Sequence, residues 1–398
     1  MAEKSSWSEL PFDLQEEFYR LSESTAQDLA KHIQDLEIEL SANWPQVEFA
    51  VKPISQSDSK ELAISSVDGS RSPEPARRLG GDFAVYSAGL LRLQGKRIVE
   101  NRFAVGKADS TKAPQVDLAS LVSARTLAAE REVAVAALKD ADLVLLDGSF
   151  YGFSGEVTSV LRRRPGVSPH QLGEWSDAIQ LALKRTEELV DSGKCIGVIK
   201  RSRTRAISGW LSAKSGKLVL QGMTDKHILN RKLASLSYFD YERLLGGGSF
   251  LTYSMLAYNL ANGREKEPTR EALGRAAELA AARFTRAFGR PFGMRVDPSK
   301  LRRFQARLFA DAPPCELEVP TSVPGGLINE LLASENFSEA TGLPHAIDMI
   351  DEYVGIPRAF TRDFVYEVEA RVTSLAPSTL SGVRGFFSDL NPQKEGIE

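Results

Sequence analysis

A short apolar run that closes on Asp-Gly-Ser occurs twice in this chain. The two copies are Ile64 to Ser70 (ISSVDGS) and Leu143 to Ser149 (LVLLDGS). Each reads as a buried strand that delivers a carboxylate, Asp68 or Asp147, at its end. The glycine that follows lets the backbone turn sharply or lets a ligand approach closely. Two such strands side by side would hold their carboxylates a few ångströms apart. Like charges that close repel, and one of the pair tends to take up a proton. A divalent cation removes the conflict, and hard oxygen ligands suit Mg²⁺ or Mn²⁺. The ordinary alternative for Asp-Gly is a hairpin turn, which needs a second strand at once. Arg-Ser-Pro-Glu-Pro follows Ser70, and Phe-Tyr-Gly-Phe-Ser-Gly follows Ser149. Neither suits a strand. Both aspartates are therefore expected to end strands that run into loops, where functional side chains gather.

The rest of the composition narrows the class. A chain of 398 residues can bury a sizeable core in one or two domains. A net charge of -3 excludes a generally basic nucleic-acid coat but leaves room for a local basic groove. Cys195 and Cys315 lie far apart and have no metal-type spacing, which fits a reducing, cytoplasmic setting. His32, His170, His227 and His345 show no zinc-type pairing. The N-terminus has no apolar leader, and no run of about 18 apolar residues occurs, so no membrane is expected.

Read in order, the chain opens with a helix over Leu10 to Leu40, whose Leu14, Phe18, Leu21, Leu29, Ile33, Leu36 and Leu40 recur at helical spacing. We expect an arm over 1–56, packed on the body or on a second subunit. Strands follow at Glu61 to Ser70, Phe83 to Leu93 and Ile98 to Val105, with Gln94-Gly95-Lys96 as a hairpin turn. Val116 to Lys139 reads as a long helix, with Glu130 on its apolar stripe and Glu132 on a mixed one. A carboxylate on an apolar stripe needs a partner or a snorkelling position. After the second D-G-S strand come Arg162, Arg163 and Arg164, expected in a loop, and then a helix over Leu172 to Ser192. The strand Cys195 to Ile199 runs straight into Lys200, Arg201, Arg203 and Arg205. These basic residues can line a phosphate groove or simply form solvated surface. Thr224 caps a helix that starts at Asp225. Phe250 to Leu260 reads as a strand or a short helix, and Phe304 to Phe309 as an edge strand. Glu316 to Pro320 is a strand, and Gly342 to Ile356 a helix carrying Asp348, Asp351 and Glu352. A polar tail closes the chain, giving a body over 57–375 and a tail over 376–398.

This order of motifs resembles the NurA nuclease family. The matching features are the two D-G-S strands, the helix with its inward Glu130, and the strand ending in Lys200. Thr224-Asp225-Lys226 at a helix start and the late G-x-P-x-x-x-x-x-x-D segment ending in Asp351 complete the set. The resemblance implies a ribonuclease H-like, Piwi-like α/β fold, with a mixed sheet flanked by helices and an N-terminal helical arm. It implies a Mn²⁺-dependent (or Mg²⁺-dependent) deoxyribonuclease with 5′ to 3′ exonuclease and endonuclease activity. Its implied setting is DNA end resection and repair, as a homodimer on a hexameric HerA-type ATPase. By position, Asp68, Glu130 and Asp147 look like the family's metal carboxylates, with Glu132 as an alternative register for Glu130. Asp225 and Asp351 match later acidic positions, His345 being an alternative to Asp351, and Lys200 is expected on the scissile phosphate. Two rivals are a catalytically weak adaptor that guides DNA into an ATPase ring, and another ribonuclease H-like nuclease such as a junction resolvase.

Overall fold

A computed structural model describes residues 10–55, 61–111, 116–246 and 249–390 of the chain. Ten strands form one mixed sheet. They are β1 (Val51–Pro53), β2 (Ala63–Arg71), β3 (Ala76–Arg78), β4 (Gly81–Gln94), β5 (Arg97–Asp109), β6 (Leu143–Asp147), β7 (Cys195–Ile199), β8 (Ser237–Asp240), β9 (Leu301–Arg307) and β10 (Cys315–Pro320). Their order is β1-β8-β9-β10-β7-β6-β2-β4, and β3 and β5 both pair with β4. The pairs β2–β6 and β6–β7 are parallel, and the others are antiparallel.

The centre of the sheet is apolar on both faces because helices cover both. Val144 and Leu146 of β6 pack with residues of the helices α2 (Leu118–Ala137), α3 (Ser154–Arg163) and α4 (Glu174–Asp191). Leu143 and Leu145, one residue out of phase, pack with Ile347, Ile350 and Val354 of the helix His345–Val354. A period of two thus sorts one run of leucines and valine into two cores. The helix α2 is held at its start by Asp117, whose side chain accepts from the Ser120 N–H at 2.8 Å.

Several boundaries differ from expectation. Asp68 lies inside β2 rather than at its end, opposite Gly89, because the long β4 carries the ladder on to Arg71. The strand β9 is no edge: β8 and β10 pair on its two sides. The apolar run after Ser249 is a helix, Phe250–Ala261. Arg162 and Arg163 sit in the last turn of α3, not in a loop, where positive charge suits the helix dipole.

The first helix, α1 (Phe12–Asn43), divides in two. Leu36 and Leu40 join Val47, Ala50, Ile207, Leu211 and Phe239 in a third core, and β1 completes the sheet beside β8. Residues from Leu36 onward, ahead of residue 57, thus pack with the body. Before Leu36, Phe12, Leu14, Phe18, Leu21, Leu29 and Ile33 are exposed, Leu21 to 60% and Ile33 to 54%. At the other end, the segment expected as a tail holds a helix, Leu380–Phe387. Phe387 stacks on Phe83 at 6.0 Å, and Asp389 pairs with the buried Arg78. Residues 391–398 lie outside the described residues. Among the described residues no helix is long and apolar enough to cross a membrane.

Candidate metal centre

The strands β2 and β6 run parallel in a register that sets Val67 beside Leu146. The next residue of each is an aspartate, so Asp68 and Asp147 emerge together. Both point away from α2, toward the face covered by the helix His345–Val354. That helix supplies Asp351. One oxygen from each of Asp68, Asp147 and Asp351 lies within 4.8 Å of the others. Lys200, directly after β7, completes the group. Its Nζ stands 3.1 Å from an Asp147 oxygen and also pairs with Asp351.

The electrostatics follow from this crowding. Burial pushes the Asp68 carboxyl up to about 8, helped by the nearby charges of Asp147 and Glu130. Burial also raises Asp147, and the Lys200 charge works against it. Burial acts to lower the Lys200 ammonium, but its bonds to Asp351 and Asp147 hold it above its ordinary value. A cluster that holds a proton this tightly is short of positive charge.

Glu130 stands just behind. It is 8% exposed, and its Oε1 accepts from Arg131 at 2.6 Å. Burial raises its carboxyl to about 7, with Arg131 opposing and Asp147 adding to the rise. Because side chains alternate along a strand, Gly69 faces α2 where Asp68 faces away. A Cβ on Gly69 would meet Thr126 at 2.8 Å and Glu130 at 3.2 Å. Glycine is needed there for α2 to come close enough to bring Glu130 beside the metal-facing strand. Glu132 instead is exposed and pairs with Arg185 at 3.7 Å.

The structure does not bring Asp225 into the group. It is fully buried. Its oxygens accept from the N–H groups of Ala206 (2.8 Å) and Ile207 (3.0 Å) and from the Tyr241 hydroxyl (3.2 Å). Burial raises its carboxyl to about 7 against those two N–H groups. The first of those N–H groups opens the helix Ala206–Ser215, so the carboxylate serves a neighbouring helix rather than its own. His345, at the start of its helix, also stays outside. Burial and the charge of Lys96 lower its imidazole. Arg201 and Arg203 are exposed and Arg205 is half-buried, all following Lys200 directly. Arg162, Arg163 and Arg164 are exposed, with Arg163 reaching Asp117 at 3.2 Å. The sequence did not single out the buried Arg131 and Glu318 or the half-buried Arg303, which link to the loop after Asp147.

The fold is a mixed α/β sheet flanked by helices, with two carboxylates brought together on adjacent parallel strands and a third on a covering helix. The NurA domain pattern matches residues 62–356, most of the chain, and the chain belongs to the NurA nuclease family. In three dimensions it is similar to the crystal structure of the NurA nuclease from Sulfolobus solfataricus. That match has a TM-score of 0.55 at 13% identity, over 89% of this chain and 97% of that one. A second NurA crystal structure matches with a TM-score of 0.51 at 11% identity, over 91% of this chain and 100% of the other. No curated protein matches the chain.

Proposed function

We propose that the chain is a divalent-cation-dependent deoxyribonuclease whose centre is Asp68, Asp147 and Asp351. The observation that carries this is the approach of three carboxylates, from two adjacent strands and a covering helix, within 4.8 Å of one another. The donor set is all oxygen, which suits Mn²⁺ or Mg²⁺. When bound, such an ion activates water and stabilises the leaving oxygen of a phosphodiester. Asp68, Asp147 and Asp351 are the residues that would hold it, and Glu130 lies close enough to support it from the α2 side. Lys200 supplies the fixed positive charge beside them, suited to a phosphate oxygen. Arg131 neutralises Glu130 and keeps its carboxylate oriented toward β2. Asp225 acts as a structural cap.

The test is cleavage of end-labelled duplex and single-stranded DNA by the full chain with Mn²⁺, Mg²⁺ or a chelator. Degradation from 5′ ends, cutting of single strands and loss of both with chelator are expected. DNA binding without cleavage under all three conditions would leave the adaptor reading standing, and selective cutting of four-way junctions the resolvase reading.

DNA contact is assigned to Arg162, Arg163 and Arg164 at the end of α3 and to Arg201, Arg203 and Arg205 after Lys200. With a net charge of -3, affinity must come from such local clusters. Replacing Arg201, Arg203 and Arg205 with glutamine should weaken binding evenly across sequences. The plot of log affinity against log salt should flatten by about 2–3 units. An unchanged slope in a fluorescence-anisotropy titration would place the groove elsewhere. The proposed setting is a cytoplasmic homodimer acting in end resection on a hexameric HerA-type ATPase. It is supported by family membership and by the exposed apolar stripe on α1.

A further inference from the structure

Each D-G-S carries a serine, and the chemistry above gives neither serine a task. Both are bonded to another wall of the site. The Ser149 hydroxyl donates to Glu318 Oε2 at 2.8 Å, and the next backbone N–H, of Phe150, donates to the same oxygen at 2.7 Å. Glu318, on β10, is 4% exposed, and its other oxygen accepts from Arg303 at 2.6 Å. Arg303 in turn pairs with the fully buried Glu316. From the opposite side Arg131 donates to the Ser149 carbonyl at 3.3 Å while it holds Glu130. Between Asp147 and this grip lies Gly148, at φ +111°, a conformation that side-chain-bearing residues rarely adopt.

The first serine has a parallel arrangement. Ser70 Oγ accepts from the Ile356 N–H at 3.2 Å, just past the end of the helix that carries Asp351. Ser87 of β4 donates to the Val354 carbonyl at 2.9 Å in the same place. Asp68's strand and Asp351's helix are thus tied together at their nearest ends.

A buried acid in a strand is costly unless it is charge-balanced and fully bonded. Glu318 meets that condition, and it spends one oxygen entirely on two consecutive donors of one loop. That loop begins directly after Asp147, where β6 ends and the Gly148 N–H makes one last bond, to the Val198 carbonyl of β7 at 2.7 Å. Lys200 bridges Asp147 and Asp351, but the backbone that carries each carboxylate still has to be fixed. We propose that Ser149, gripped by Glu318, and Ser70, gripping Ile356, are positioning residues that fix the spacing of Asp147, Asp68 and Asp351 for a divalent cation. The inference rests on the metal-centre reading above. The motif then has three separate duties: the aspartate binds, the glycine admits a close neighbour or a turn, and the serine staples.

The experiment uses the full chain, stripped of metal, with Mn²⁺ alone as the probe. Binding is followed by calorimetry and by the spin-resonance signal of free Mn²⁺. Ser149→Ala should weaken Mn²⁺ binding about 10–100-fold, the usual effect of losing a group that orients a ligand. The metal-free thermal midpoint should shift by no more than a few degrees. Cleavage should recover at saturating Mn²⁺, so that the half-saturating metal concentration rises more than kcat falls. Ser149→Thr, which keeps the hydroxyl, should restore affinity, and Ser70→Ala should reproduce the defect. Wild-type Mn²⁺ affinity in Ser149→Ala overturns the proposal. Asp147→Asn separates the two readings. If it binds Mn²⁺ as the parent does, the metal centre itself is wrong. If it loses binding while Ser149→Ala keeps it, only the staple is wrong.

Discussion

Asp147→Asn should lower the cleavage rate by at least about 10³-fold, and Asp68→Asn should do the same. A metal contributes several kcal/mol of transition-state stabilisation, and each 1.4 kcal/mol is tenfold in rate. Neither change should unfold the protein, because each removes one member of a repelling cluster. The pH dependence gives an independent check on Asp68. Its folded carboxyl titrates at about 8 against an ordinary value of 3.8, with burial as the largest cause. The folded state therefore holds this proton more tightly than the unfolded chain does. The resulting stability is full below the unfolded value and is lost as pH rises toward 8. Asparagine cannot ionise, so Asp68→Asn should gain on the parent steadily between pH 4 and 8. Urea unfolding in chelator, run at several pH values, measures this. Parallel curves for the two proteins, or full cleavage by Asp68→Asn, would remove Asp68 from the centre, and full cleavage by Asp147→Asn would remove Asp147.

On the proposed homodimer, deleting residues 1–34 should give a monomer, with the mass seen by light scattering roughly halved. The remaining chain keeps Leu36, Leu40, Val47, Ala50 and β1, all built into the body. Its fold should survive, because the large apolar residues lost, from Phe12 to Ile33, are exposed and belong to none of the buried cores. A cut at residue 57 would instead strip β1 from β8 and open the third core, confusing loss of assembly with loss of structure. A dimer that persists without residues 1–34, and still binds the ATPase ring, would mean that the arm has another task.

Much of this arrangement was legible because the central strands obey simple rules. Apolar runs closed by D-G-S gave the parallel pair, and a single acid on the stripe of α2 singled out Glu130. Asp351 was reachable only through a family resemblance. Its helix carries three acids, and nothing local says which one faces the sheet. The buried charges beneath the site were harder still. Glu316 and Glu318 alternate with Cys315, Leu317 and Val319 along β10, the usual pattern of a strand with one wet face. Arg303 and Gln305 alternate in the same way on β9. What sets Glu316 and Glu318 apart is that Arg303 of β9 pairs with both, a pairing visible only once the register is known. Asp225 was misleading for a related reason. Its own helix gave it a plausible local duty, while its bonds go to the start of another helix.

The helix that brings Asp351 is made after every strand of the sheet. In chain order Asp68 and Asp147 lie on strands that precede the helix carrying the third carboxylate. Contacts between segments so distant in sequence form late, because the long loop must close first. In this protein the helix that supplies the third carboxylate also closes a core: Ile347, Ile350 and Val354 cover Leu143 and Leu145, so a chain clipped ahead of it loses a ligand and the cover of one sheet face together.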